Sequence, residues 1–149
     1  MPNATDSKTP SLEQKRAALA WKFVSPLEAA NQAKLRKGYY SLIRGFPSMV
    51  QSMGIGQALA FLMSRAQDEE AHRTLRDHLT EWLFHADSPV PWTQPASRYE
   101  DPENKLMSRL LDESDPEIWW FAEEEAIAFS LWLKRFTEAI TPPKERQGD

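Results

Sequence analysis

The strongest constraint on this chain is a run near its C-terminus. Trp119, Ala122, Ala126, Phe129, Leu133, Phe136 and Ile140 recur at intervals of three and four residues, the period of one face of an α-helix. Trp120, Ile127, Leu131 and Trp132 widen the apolar arc well past one stripe. A helix apolar over so wide an arc belongs in the middle of a fold. Asp115-Pro116 opens it, an N-cap followed by a proline at the first helical position. Thr141-Pro142-Pro143 closes it. No segment alternates with the period of two that a strand requires. The expectation is an all-α, single-domain bundle of about five to six helices around a long, buried C-terminal helix.

Proline and scarce glycine punctuate the rest. Residues 1–10 read as a flexible arm. Ser11 with Gln14 three residues on makes a capping-box pattern, so a first helix is expected from Leu12 to Val24, stopping near Ser25-Pro26. Pro26 is placed to open a second helix to about Arg44, with Leu27, Leu35, Tyr39, Leu42 and Ile43 roughly on one side. Gly45-Phe46-Pro47 should break or kink it, a short helical piece following through Met53. Gly54-Ile55-Gly56 reads as a turn. A third helix, about Gln57 to Gln67, is apolar through Ala58, Leu59, Phe61, Leu62 and Met63. A fourth, about Glu69 to Phe84, turns Leu75, Leu79, Trp82 and Leu83 inward. Residues 87–102 carry four prolines and form a connector of extended character, pinned by Trp92 and Tyr99. A short fifth helix covers about Glu103 to Glu113. The bundle then occupies 11–140, and 141–149 is expected to be a disordered tail.

A length of 149 residues fits one domain with a core of its own. The chain has no cysteine, which excludes disulfides, thiolate metal sites and cysteine nucleophiles. No apolar run approaches the roughly 18 residues that span a bilayer, and the polar N-terminus has no signal core. A cytoplasmic, membrane-free protein is expected.

Sites of chemistry are hard to find. His72, His78 and His85 fall on or beside the fourth helix, and Glu69/His72 and His78/Glu81 have one-turn ligand spacing. No second matching pair exists to complete a metal site. Glu123, Glu124 and Glu125 are consecutive, so on a helix they point in three directions and cannot converge on one substrate atom. They suit the positive end of the last helix dipole, as Lys134-Arg135 suits the other end; a glutamate of that cluster could also pair with a neighbouring subunit. Gly54-Ile55-Gly56 lacks the strand, third glycine and lysine of a phosphate loop. No Ser-His-Asp set or nucleophile elbow is legible. No catalytic residue, cofactor or metal is assigned.

Charge is better organised. Residues 1–66 hold nine basic and three acidic residues, while 67–149 hold nine basic and nineteen acidic, so a net −4 conceals +6 against −10. Lys15 and Lys22, seven apart, share a face of the first helix. Lys34, Lys37, Ser41 and Arg44 follow a three-four-three spacing on the second, away from Leu35 and Leu42. If the two helices are adjacent, these stripes form a strip suited to a phosphate backbone, positioning a strand without reading its sequence. Trp21, Tyr39 and Tyr40 lie near enough to stack bases, although aromatics at helical spacing commonly belong to a core. A merely solvated basic face is the competing reading.

Three segments carry a family resemblance. They are Ser11-Leu12-Glu13-Gln14-Lys15-Arg16-Ala17, Gln57-Ala58-Leu59-Ala60-Phe61-Leu62, and Glu125-Ala126-Ile127 through Leu131-Trp132-Leu133-Lys134-Arg135-Phe136. In this order and spacing the chain resembles the small helical subunit of the type III-B CRISPR effector, the Cmr complex. The first and last segments are the specific ones; the connector 87–102 matches nothing. The resemblance implies a compact α-helical bundle without catalytic activity. It implies copies that stack along an RNA-guided ribonucleoprotein beside the backbone subunits. These copies bridge toward the large subunit and line the groove where guide RNA pairs with target RNA, in antiviral defence. Carried onto this sequence, the matching basic positions are Lys15, Arg16, Lys134 and Arg135. The stripes add Lys22, Lys34, Lys37, Arg44 and Arg65 as expected RNA-binding residues.

Two other functions compete. One is a helical adaptor whose basic face meets an acidic protein. The other is a helical metalloenzyme using the histidines of the fourth helix.

Overall fold

The computed structural model describes residues 8–146. The arm expected over 1–10 lies, for 1–7, outside the described residues, as do 147–149 of the expected tail. Six α-helices are present and no strand occurs among the described residues. They are α1 (Leu12–Val24), α2 (Ala33–Met53), α3 (Ile55–Arg65), α4 (Glu70–Leu83), α5 (Lys105–Asp112) and α6 (Pro116–Ile140).

The caps form as their residues dictate. Ser11 Oγ accepts from the Gln14 amide at 3.1 Å while Gln14 Oε1 accepts from the Ser11 amide at 2.7 Å, a complete capping box. Asp115 Oδ1 accepts from the Glu117 amide at 2.9 Å, with Pro116 at the first helical position.

Two boundaries differ from expectation. Pro26 opens a 3-10 turn, Ser25–Glu28, followed by a second, Ala30–Gln32; α2 begins only at Ala33. At the other end α2 runs unbroken through Gly45-Phe46-Pro47 to Met53. Pro47 forfeits one backbone hydrogen bond, but Ile43, Phe46 and Val50 are all fully buried around it. Burial of three large side chains, each worth about 1.5–3 kcal/mol, outweighs that loss. The real break is the single residue Gly54, whose φ of +88° favours glycine. A Cβ there would sit 2.8 Å from Glu123 Oε1, the atom that accepts from the first amide of α3 (Ile55 N, 2.8 Å). Gly56, expected to complete a turn, lies inside α3, where Trp119 packs so closely that a Cβ would meet its ring at 3.0 Å. The two glycines make room for side chains of α6.

α6 is the organising element. α2 and α1 are both laid against it, and α4 packs on α2, α3 and α6. The core joins Tyr39, Ile43, Phe46 and Val50 of α2, Leu75, Leu79 and Trp82 of α4, and Ala122, Ala126, Phe129 and Leu133 of α6. Trp82 and Phe129 stack with centroids 5.2 Å apart. The arc of α6 that meets this core is narrower than its apolar residues suggested. Trp120 and Leu131 are 53% and 42% exposed, and Trp119, Ile127, Trp132 and Phe136 are half-buried. One face of the helix is buried; the other leaves large apolar groups in water.

The connector is held as expected, with an added device. Trp92 Nε1 donates to the Leu83 carbonyl at 3.0 Å and Tyr99 OH to Asp112 Oδ2 at 2.8 Å. Between them Arg109, on the buried side of α5, lies 4.7 Å from the ring centroids of both Phe84 and Trp92 and 6.0 Å from that of Tyr99, and donates to the Gln94 carbonyl. This cation–π cage ties the proline-rich segment to α4 and α5.

Candidate nucleic-acid interface

The expected basic residues divide into an engaged group and an outward group. Arg16 is the clearest of the first. Its Nε and Nη2 grip Glu125 Oε2 and Oε1 at 2.6 and 2.7 Å, a bidentate pair. Glu125 is 4% exposed and accepts a third bond from Trp82 Nε1 at 2.8 Å. The pairing raises the Arg16 pKa against the opposing effect of burial. Arg16 Nη1 also reaches Glu13 at 3.1 Å, and Trp132 Nε1 donates to the same Glu13 oxygen at 3.2 Å. Those two donors, Trp132 first, hold the Glu13 carboxyl below its usual range. The guanidinium of Arg16 therefore closes the α1–α6–α4 seam, with both of its edges held by glutamates of the fold.

Other members are partly committed. Lys15 Nζ lies 3.7 Å from Asp87. Arg65 lies 4.0 Å from Glu69 and over the Phe61 ring. Arg135 pairs with Glu138 at 3.1 Å, and Lys134 is half-buried.

On α2 the pattern is different. Lys34, Lys37, Ser41 and Arg44 are all exposed and line one face, spanning roughly 15 Å at the helical rise per residue. Arg44 lies over the Tyr40 ring at 5.3 Å. Lys22 is exposed on α1. The two stripes do not merge: α1 and α2 each pack on α6 and share no extended contact. Nor do the aromatics form a stacking platform. Tyr39 and Tyr40 are buried, and Trp21, 44% exposed, packs edge-on against Phe136 at 5.1 Å.

The tail edges this stripe. Residues 141–146 are packed against the body. Glu145 accepts two bonds from Arg36, at 2.7 and 2.8 Å, and Arg36 also donates to the carbonyls of Leu27 and Ala29. Arg36 lowers the Glu145 carboxyl, with smaller contributions from Lys144 and Lys37. The exposed Lys144 thus sits at the margin of the α2 stripe.

The histidines face aromatics rather than one another. His72 meets Phe61, and His85 meets Trp82. His78 stacks on Phe23 at 4.4 Å, with its Nδ1 2.7 Å from Tyr39 OH. Burial lowers the His78 pKa to about 4 and raises that of Tyr39 well above its usual value. No group of three or more metal-ligating side chains occurs among the described residues, and no helix among them is long and apolar enough to cross a membrane.

Sequence reasoning missed Glu125 and Arg36 as buried ion-pair partners. A signal existed for both. Glu125 falls on the buried side of α6, three residues from Ala122 and four from Phe129. Arg36 stands three and seven residues before Tyr39 and Ile43. A charge on a core stripe requires a buried partner.

Compared with known protein families, residues 12–140 match the family described as "CRISPR-associated protein (Cas_Cmr5)".

Proposed function

The chain belongs to the Cas_Cmr5 family of CRISPR-associated proteins, a small subunit of the type III-B Cmr complex, and from that premise we propose that it is a non-catalytic scaffold whose α2 stripe faces RNA. It stacks along the effector in the cytoplasm, beside the backbone subunits and toward the large subunit, and lines the groove of guide and target RNA. The observation that supports this reading is the exposed alignment of Lys34, Lys37, Ser41 and Arg44 on one face of α2. Four polar side chains at one-turn intervals suit contact with successive phosphates and carry no base-reading geometry. Lys22, Lys15, Arg65, Lys134 and Arg135 are secondary contacts. Arg16 is left out because Glu125 holds it.

The test is the triple variant Lys34→Glu/Lys37→Glu/Arg44→Glu in the assembled complex. Target-RNA affinity should fall, and the slope of log affinity against log salt should shrink by about 2–3, one increment per lost phosphate contact. Unchanged affinity and slope in an assembled complex would overturn the RNA-facing reading. Loss of assembly by a variant that remains folded would instead assign the stripe to an acidic protein partner.

A further inference from the structure

Among the described residues, the outer face of α6 leaves large apolar side chains exposed, and several of its residues are arranged about a centre. Trp120, Phe121 and Leu131 are 53%, 43% and 42% exposed. Isolated apolar groups at a surface are ordinary; several along one face mark an interface. Two cavities flank this face along α1, about 430 Å³ beside Trp120 and Phe121 and about 300 Å³ beside Leu131 and Trp132. Both are bordered by Ala128 and Arg16.

The pattern along the helix reads the same way from either end. Glu124 and Arg135 are exposed and eleven residues apart, close to three full turns, so they share a face at a separation of roughly 17 Å. Between them, and symmetric about the same midpoint, stand Ala128 and Leu131. Each pair joins complements: acid with base, small with large. A helix carrying complementary pairs about one midpoint fits an antiparallel copy of itself, because a two-fold axis places residue i against j and j against i.

We propose that, outside the effector, two copies of this chain pair antiparallel through the outer faces of α6. The two-fold axis crosses the outer face of α6 at the level of Phe129 and Ser130, whose side chains are buried on the opposite side. Leu131 of each copy covers Ala128 of the other, over the junction of the two cavities. Arg135, which already holds Glu138 at 3.1 Å, reaches Glu124 of the second copy. The contact is isologous and closes on itself, so it stops at two. It leaves the α2 stripe free, since that stripe lies on a different helix, and of the proposed dimer contacts only Arg135 is also a secondary RNA contact.

Sedimentation and light scattering of the full chain test this directly. A dimer should form at micromolar to tens-of-micromolar concentration. Leu131→Asp should give a monomer with an unchanged helical circular-dichroism spectrum. Glu124→Arg and Arg135→Glu should each weaken the dimer by about tenfold or more, through like charges set face to face. The double variant Glu124→Arg/Arg135→Glu should recover most of the loss. A wild-type chain that stays monomeric at high concentration would overturn the proposal. So would a dimer indifferent to Leu131→Asp, or a double variant no tighter than the single ones.

Discussion

The guanidinium of α1 is turned inward, and positive charge on α2 is turned largely outward. Arg16 spends both edges of its guanidinium on glutamates, one of them buried in the α1–α6–α4 seam. Lys34, Lys37 and Arg44 stand on an exposed face. The chemistry of the side chains fits the division. A guanidinium is weakly hydrated and matches a carboxylate with two parallel bonds, which suits it to a desolvated pair. An ammonium is strongly hydrated and keeps its head in water. Arg36 supports the rule from within α2: it faces the core and holds Glu145 together with two backbone carbonyls. Basic residues close in sequence therefore serve unrelated ends, and the net charge of a segment does not separate them.

The sharpest way to break the comparison is Glu125→Ala. It takes from Arg16 its bidentate, buried partner, leaving the guanidinium only Glu13, and removes the acceptor of the Trp82 indole N–H. Breaking a buried pair from one side costs about 3–5 kcal/mol, a large part of the stability of a domain this size. Chemical denaturation should show that loss. Pairing it with Arg16→Met should recover part of it, because the seam then holds no guanidinium without its buried partner and Glu13 is exposed, although the Trp82 N–H still lacks its acceptor.

A second effect of the inward side is a pH dependence. His78 titrates near 6.5 when unfolded and near 4 in the fold, where burial against Phe23 and Tyr39 disfavours its charged form. Between those values the unfolded chain binds the extra proton. The contribution is complete above pH 6.5 and is lost as pH falls toward 4. Over pH 7 to 5 this amounts to about 2 kcal/mol. Denaturation midpoints of wild type and His78→Phe, measured at both pH values, should differ in slope accordingly. Parallel pH profiles would refute the assignment.

How much of this was legible beforehand depends on which residues carry it. The helices were legible because their caps are local: Ser11 with Gln14, and Asp115 with Pro116, specify their ends within four residues. The continuation of α2 through Pro47 was not, because it depends on burial of Phe46 and Val50 among residues far along the chain. The basic stripe of α2 was legible as spacing, since one helix fixes its own faces. Its union with the α1 stripe was not, since only tertiary packing shows that the two helices pack on α6 and not extensively on each other. Arg16 belongs to the same class: its partner is 109 positions away.

The tail gives the third test. Removing residues 141–149 takes Glu145 from Arg36 and leaves that buried guanidinium with two carbonyl acceptors. The melting temperature should drop by roughly 5 °C, less than for Glu125→Ala because Arg36 keeps part of its hydrogen bonding. Amide exchange should accelerate at the start of α2 and in the two 3-10 turns before it. A truncated chain with unaltered melting and exchange would remove the tail from the ion-pair network.

The smallest effect belongs to the outward side, and it is the one that sharpens the contrast. Lys34→Glu and Lys37→Glu alter exposed heads on the outer face of α2. Surface substitutions of this kind stay within about 0.5 kcal/mol. Lys37 also lies near enough to Glu145 to help lower its carboxyl pKa, so Lys37→Glu should be the costlier of the two. The double variant should therefore melt within a few degrees of wild type while changing the response of the assembled complex to RNA and salt. A substantial loss of stability would mean that these lysines, like Arg16, are bound into the fold, and the division between inward and outward charge would fail.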